Sequence, residues 1–377
     1  MQNMKLSFKC LSLLILLNLI HGLSNGQNAL KNQPVAVPFL LITPDAKSAG
    51  MANVNLGISA NTNDLFQNAA KLPTLDEKSG FSLNYTPWLK DIGLDNVYIL
   101  TTGYYRKINN SSAYHVSLKY FTLGTIDLTD EKGIPNQPSQ RTGEYNFNAG
   151  YSLKINNKIS VGATIKYIHS RLIQGNYNGA EYKAGNSIAG DISLYYQQHE
   201  NAEGLHGGLL LSNLGSRMSY SSQSNKYFLP ANLGLGIGYL KNLDEKNAIE
   251  FGIDANRKLV PAIASDASQS DIQSFYSQSV LNSWTNSFSG KFGVDLGASY
   301  TLAGGIEYSY DKVFYLRAGY HYEQNLNAGN SNYFTVGSSF KYNNMNLHLS
   351  YIPPTSAGIS RNPLSNTFSF GTSINFR

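Results

Sequence analysis

The 377-residue chain has one cysteine, two tryptophans and only 14% charged residues. A lone thiol excludes a disulfide scaffold, so an exported form of this length must be held by burial or by a membrane. Beyond the first two dozen residues no apolar run approaches the ~20 residues with which a helix crosses a bilayer, which excludes a later membrane helix. A formal net charge of +5 is too mild to argue for nucleic acid as a partner. HExxH, GxSxG and a cysteine pair are all missing, so the sequence gives no catalytic or metal motif and implies no cofactor. His115 and His348 fall on polar strand faces without a carboxylate and nucleophile at readable spacing, and are expected as solvated lumen side chains. His169 and His321 fall near outer strand ends.

Aromatic residues and glycine are plentiful, with 26 tyrosines, 17 phenylalanines and 34 glycines. At the start, Lys5 and Lys9 precede the run CLSLLILLNLI and a small polar exit, HGLSNGQ, the pattern of a secretory signal cut after Gly26. Its removal takes Cys10 with it and leaves 27 basic against 24 acidic residues. Cys10 stands at the front edge of the apolar run, where it does not serve as a lipid attachment site.

From about residue 80 apolar and polar residues alternate with period two. In YNFNAGYSLKI, Tyr145, Phe147, Ala149, Tyr151, Leu153 and Ile155 share one face, and Asn146, Asn148, Gly150, Ser152 and Lys154 share the other. LGLGIGYL sets Gly234, Gly236 and Gly238 against Leu233, Leu235, Ile237 and Tyr239, a strand with one small-residue face and not a phosphate loop. The pattern predicts fourteen strands, near 80–88, 95–107, 112–124, 143–155, 158–171, 185–198, 205–213, 229–240, 247–257, 288–310, 312–322, 332–342, 345–352 and 366–377. Short turns such as INNK, KNLDEK and YDK alternate with long polar connections. A soluble secreted sandwich or β-helix also alternates along its strands. An even strand number, short and long connections in alternation, and a last strand ending at Phe376 instead predict an all-β transmembrane outer-membrane barrel. The short turns and both chain ends are then periplasmic.

The expected organisation is a signal peptide at 1–26, a plug segment at 27–79 and a barrel at 80–377. Within the plug, Asp45 is placed to cap a helix and 63–72 reads as a helical turn or two. The outer loops are the informative surface. Asp127, Asp130 and Glu131 make one of them acidic. In the stretch 261–287, a Ser/Asp/Gln-rich tract read as flexible precedes Val280, Leu281, Trp284 and Phe288, spaced for one helical face. That face suits either a partner anchor, for which Leu281 and Trp284 are the candidates with the three acidic residues, or packing over the barrel mouth or a place in the aromatic girdle.

The ordered stretches NYTPWL (84–89), LKYFTLGTIDLTDEKG (118–133), SNLGSRMSY (212–220), FLPANL (228–233), NRKLVP (256–261), IEYSYD (306–311), LRAGYHYE (316–323) and NPLSNT (362–367) resemble the PorV/PorQ family. These are outer-membrane barrels of the Bacteroidetes type IX secretion system, related to FadL-like barrels. The resemblance implies a non-enzymatic protein that binds the C-terminal domain of secreted cargo and carries it from the outer-membrane translocon to the surface sortase complex, among outer-membrane lipids. It carries over no cargo-binding residue. One departure stands out: FadL-like hatches carry Asn-Pro-Ala where this chain has Asn68-Ala69-Ala70. The rival reading is a FadL-like transporter of hydrophobic ligands, which a continuous apolar lumen track would favour. A lipid-remodelling surface enzyme would need a polar triad that the sequence lacks.

Overall fold

The computed structural model describes residues 31–32, 34–89, 93–94, 96–128, 138–177, 180–200, 203–221, 225–264, 266–289, 292, 300–323, 332–354 and 364–376. Fourteen antiparallel strands close on themselves. They are β1 (Ser79–Pro87), β2 (Tyr98–Asn109), β3 (Ser112–Thr122), β4 (Gly143–Lys154), β5 (Ile159–Arg171), β6 (Gly185–Gln197) and β7 (Gly204–Gly215). There follow β8 (Asn232–Asn242), β9 (Asn247–Lys258), β10 (Tyr300–Tyr310), β11 (Phe314–Glu323), β12 (Tyr333–Tyr342), β13 (Met345–Ile352) and β14 (Thr367–Phe376). Each pairs with its sequence neighbour, and β14 pairs with β1 from Ser79↔Phe376 to Tyr85↔Phe370, so the ring leaves no unpaired edge. No helix among the described residues is long and apolar enough to span a membrane.

Side-chain alternation turns the barrel's apolar face outward. Phe368, Phe370 and Phe376 of β14 stand exposed on the outer wall, while Ser369 and Ser373 point inward and are buried. In a soluble protein such an array of exposed aromatics would be a liability; in a bilayer it is the lipid contact. Tyr85, Tyr98 and Tyr120 adjoin one another across β1–β3 at centroid separations of 5.6 and 6.0 Å, and Tyr145 and Tyr167 extend the row, as expected of an aromatic belt at one interface. All connections on one rim are short, from two residues between β2 and β3 (110–111) to six between β6 and β7 (198–203). Those on the other rim run from nine residues (324–332) to forty-one (259–299).

The lumen is occupied by the chain's own residues 34–78. Asp45 caps the short helix α1 (Ala46–Ala49), its carboxylate accepting from the Ser48 N–H at 2.9 Å. Asn61 and Asp64 form a reciprocal capping box on the 3-10 turn Thr62–Phe66, and a second such turn, Ala69–Thr74, follows Asn68. The helical reading of 63–72 therefore holds, in the tighter 3-10 form. Strand side chains all round the wall bond this segment's backbone. Asn84 Oδ1 accepts from Ala46 N at 3.2 Å, Ser193 Oγ from Ala70 N at 3.1 Å and Thr335 Oγ1 from Ala52 N at 2.9 Å. Glycines on the lumen face let the backbones touch. A Cβ on Gly236 would fall 2.5 Å from Gly57 N, and one on Gly319 would fall 2.4 Å from the Met51 carbonyl carbon. The small-residue face of LGLGIGYL is thus a seat for the plug.

Two expectations change. The strand read at 288–310 begins at Tyr300: residues 287–289 turn away after the helix Val280–Asn286, and residues 290–291 and 293–299 lie outside the described set. His115 and His348 do face inward, but into a lumen occupied by the plug and not an open one. His115 is 1% exposed, and His348 is bonded through Nδ1 to Ser339 Oγ at 2.6 Å and through Nε2 to Ser373 Oγ at 3.3 Å.

Candidate functional site

The long-connection rim and the lumen beneath it make the candidate site. At its base the plug is fixed by charge. Lys71 and Asp64, both 0% exposed, pair at 2.8 Å, and the Lys71 ammonium also donates to Asn55 O at 2.9 Å. Asp254 Oδ2 on β9 accepts the N–H groups of Asn55 and Leu56 at 2.7 and 2.9 Å, and Glu250 Oε1 accepts from Ser59 N and Oγ at 2.7 and 2.6 Å. Each buried carboxylate thus satisfies backbone donors that burial without a partner would leave costly. Asn68, which precedes the departure from the hatch sequence at Ala69, is fully buried and donates to Leu56 O and Leu194 O.

Above the plug lies a cavity of about 450 Å³. Leu40, Ile42 and Trp88 line one side, and the ion pairs Lys166–Asp191 (2.6 Å) and Lys258–Glu323 (2.9 Å) line the other. Lys119 donates to Ile42 O at 2.5 Å. The chamber is therefore a mixed polar and apolar pocket over the plug. Polar side chains of nine strands reach the plug or the cavity.

Around the mouth, the connection from β9 to β10 folds where flexibility was expected. Helix α2 (Gln269–Ser277) is capped by Ser268, whose side chain accepts from Asp271 N, and α3 (Val280–Asn286) by Ser279, whose side chain accepts from Asn282 N. Phe275 of α2 is fully buried against Phe228, Val260, Ile263 and Phe292. Arg217 Nη1 donates to Tyr276 O at 2.5 Å and to Gln278 O at 3.3 Å, tying the helices to the connection after β7. In that same connection Tyr220 donates to Ser170 Oγ at 3.0 Å, and burial pushes its phenol up to about 12. Residues Lys31–Asn32 pair with Ile263–Ala264, adding the chain's N-terminal side to the cap.

The inward side of α3 is Val280, Ser283 and Ser287, with Ser283 and Ser287 buried. Its apolar side is turned out. Leu281 is 66% exposed, Phe288 just beyond the helix is 51% exposed, and Trp284 is half-buried. Packing over the mouth is thereby corrected for Leu281 and Phe288, because small serines let the helix sit close and Phe275 supplies the anchor. Phe288 instead covers the Arg257 guanidinium at 4.7 Å, beside Tyr300 at 4.4 Å.

Of the acidic candidates, Asp127 is exposed and accepts from Ser139 Oγ at 2.5 Å, while Asp130 and Glu131 lie outside the described residues. Two outer ladders, Thr125–Ile126 with Gln140–Arg141 and Gly175–Tyr177 with Ala180–Tyr182, extend the hairpins β3–β4 and β5–β6. Gln140 joins them, donating to Gln174 O at 2.6 Å and accepting from Gln174 N at 2.8 Å. Neither ladder was read from sequence; the dispersed polar composition carried no period-two signal.

No curated protein matches the sequence. Among solved structures the chain is similar to the Ralstonia pickettii toluene transporter TbuX, at 10% identity, 88% of this chain, 98% of the other and a TM-score of 0.51. The P. putida toluene transporter TodX matches at 12% identity over the same shares with a TM-score of 0.51. The CymD monoaromatic hydrocarbon channel matches at 13% identity, over 89% of this chain and 98% of the other, with a TM-score of 0.53. At these identities the likeness is one of fold, the FadL-like outer-membrane barrel. Family and fold are those of a secretion or transport barrel. The family profile for the type IX secretion system protein PorV matches residues 25–265, which covers the plug, the first nine strands and the connection after them up to the rim helices, and the chain belongs to that family.

Proposed function

We propose that this outer-membrane component of the type IX secretion system acts by docking: its long-connection rim binds the C-terminal domain of secreted cargo and carries it from the translocon to the surface attachment complex. In this reading the signal peptide 1–26 is removed, the short turns and both termini are periplasmic, and the long connections face outside. The observation that carries it is the apolar side of α3, Leu281 with Trp284, held outward on helices that Phe275 fixes to the rim. Exposed aromatic and aliphatic side chains on a rigid support make favourable anchors, because little conformational freedom is lost on binding. The plug favours docking over passage of hydrophobic ligands: polar bonds from several strands hold it, and the cavity above it is lined below by the plug.

The test is copurification of cargo C-terminal domains with a Leu281→Asp, Trp284→Ala double variant. Both changes leave Phe275 and its cluster intact, so heat-modifiable migration should remain. Cargo capture should fall at least ten-fold. Undiminished capture would move the binding surface to the ladders at 125–142 and 172–184. Vesicles that take up a hydrophobic ligand while capturing no protein would instead establish the transporter reading.

A further inference from the structure

Helix α3 turns only Val280, Ser283 and Ser287 inward, so little bulk seats it, and its placement depends on what holds its two ends. Both ends meet an arginine rooted in the barrel wall. Arg217 stands two residues beyond β7, and Arg257 is the last residue but one of β9. Between α2 and α3 the chain passes through Gln278 and Ser279, which are not helical, and the last turn of α2 leaves carbonyls that the helix cannot satisfy itself. Arg217 Nη1 donates to two of the carbonyls at this joint, Tyr276 O at 2.5 Å and Gln278 O at 3.3 Å. At the far end Arg257 Nη2 donates to Ser287 O, the C-cap carbonyl of α3. Each guanidinium thus stands where a helix C-terminus presents unpaired carbonyl oxygens, the place at which a cation is favoured.

Both arginines are held in place before they bond. The Arg217 guanidinium lies over Phe228 at 5.2 Å, and the Phe228 ring meets Phe275 edge-on at 5.7 Å. Next to it Met218 and Tyr227 exchange backbone hydrogen bonds at 2.8 and 2.7 Å. Arg257 lies over Phe288 and Tyr300. A planar guanidinium confined by ring faces loses little freedom when it bonds, which an ammonium on a flexible stem does not match. Gln278 also crosses the joint, accepting from Asn286 Nδ2 at 2.7 Å and donating to Phe275 O at 3.1 Å, but these bonds join the rim helices to each other and not to the wall.

We infer that Arg217 and Arg257 are positioning residues for cargo docking: between them they fix the angle at which α3 leaves α2, and with it the direction in which Leu281 and Trp284 face. The inference rests on the docking reading above. Neither arginine is itself the contact. Phe275 places α2, and the two arginines place α3 relative to it.

Pulsed electron paramagnetic resonance on nitroxide pairs in the full barrel separates the two. Asn282→Cys with Arg171→Cys reports α3 against the outer end of β5, and Gln273→Cys with Arg171→Cys reports α2; all three positions are exposed. Arg217→Gln and Arg257→Gln should each broaden the α3 distance distribution, and the two together should broaden it at least about two-fold, since a neutral side chain bonds more weakly and does not stack as a guanidinium does. The α2 distribution and heat-modifiable migration should stay as in wild type. Arg217→Lys, which keeps the charge and loses the stacking, should be intermediate. Affinity for the cargo C-terminal domain should fall by roughly two- to ten-fold in the Arg217→Gln, Arg257→Gln protein, the ordering cost of one or two released side chains. An α3 distribution as narrow in that protein as in wild type would overturn the inference whatever cargo does. Equal broadening of α2 and α3 would also overturn it, by making the arginines general supports of the cap. So would a broadened α3 with undiminished affinity, in a barrel that Leu281→Asp with Trp284→Ala does weaken. Undiminished capture by that last variant would instead bring down the docking reading, and this inference with it.

Discussion

Asp254→Ala isolates what holds the plug. The wild-type carboxylate is 1% exposed and accepts the backbone N–H groups of Asn55 and Leu56 at 2.7 and 2.9 Å. Alanine leaves both donors buried without a partner, at a cost of ~1–3 kcal/mol each and ~2–6 kcal/mol together. At 1.4 kcal/mol per factor of ten, local opening of the plug at 55–57 should rise roughly thirty-fold to ten-thousand-fold. Hydrogen exchange measured by mass spectrometry on plug peptides reads this directly, since local opening sets amide exchange there. Asp254→Asn keeps an uncharged acceptor, and charge-assisted bonds are about twice as strong as neutral ones, so its effect should be intermediate. The strand ladder is untouched in both variants, and heat-modifiable migration should be unchanged. Alanine-variant plug amides that exchange as slowly as wild type would refute the claim that this carboxylate anchors the segment.

Other consequences are equally open to measurement. Gly57→Ala should loosen the plug by ~1–3 kcal/mol, because its Cβ would stand 2.4 Å from the Gly236 carbonyl carbon; Gly304→Ala, with nothing within 4 Å, should leave thermal unfolding unchanged. In the 243–246 turn the Asp244 carboxyl is held below its ordinary 3.8, first by the Lys246 N–H and then by the side-chain amide and N–H of Asn247. A depressed acid stabilises the turn above pH 3.8 and loses that contribution as pH falls through the folded value, so turn amides should exchange faster on acidification and Asp244→Asn should abolish the dependence. Gln273→Cys on α2 should react with an impermeant thiol reagent on whole cells and Glu245→Cys only after the outer membrane is broken; the opposite pattern would invert the orientation. Intact mass should give a chain beginning at Gln27, and a mass that retains Cys10 would contradict cleavage after Gly26.

The wall was legible because every strand has to satisfy the same two demands, an apolar face to lipid and a polar face inward, and period two writes both into the sequence. Phe147 against Asn148 is enough to orient β4. The plug's fastening was not legible: Asp254 serves N–H groups almost two hundred positions away, and no local pattern records such a pairing. The histidines show the same limit, since a polar strand face told that His115 points inward but not that chain already fills the lumen there. At the rim, Ser268 with Asp271 and Ser279 with Asn282 carried cap signals that composition obscured. Hydrophobic periodicity grouped the apolar residues of α3 but left open which way they turn, because its close packing uses Ser283 and Ser287 while Phe275, on the preceding helix, supplies the buried bulk.

The central claim, that the rim docks cargo over a closed lumen, is tested most directly by titrating the protein in nanodiscs with a purified cargo C-terminal domain and following binding by a surface-independent method such as fluorescence anisotropy. The account predicts saturable binding at one domain per barrel, abolished by a competing fragment of the same domain and weakened at least ten-fold by Leu281→Asp with Trp284→Ala. Absence of saturable binding to the wild-type barrel would contradict it.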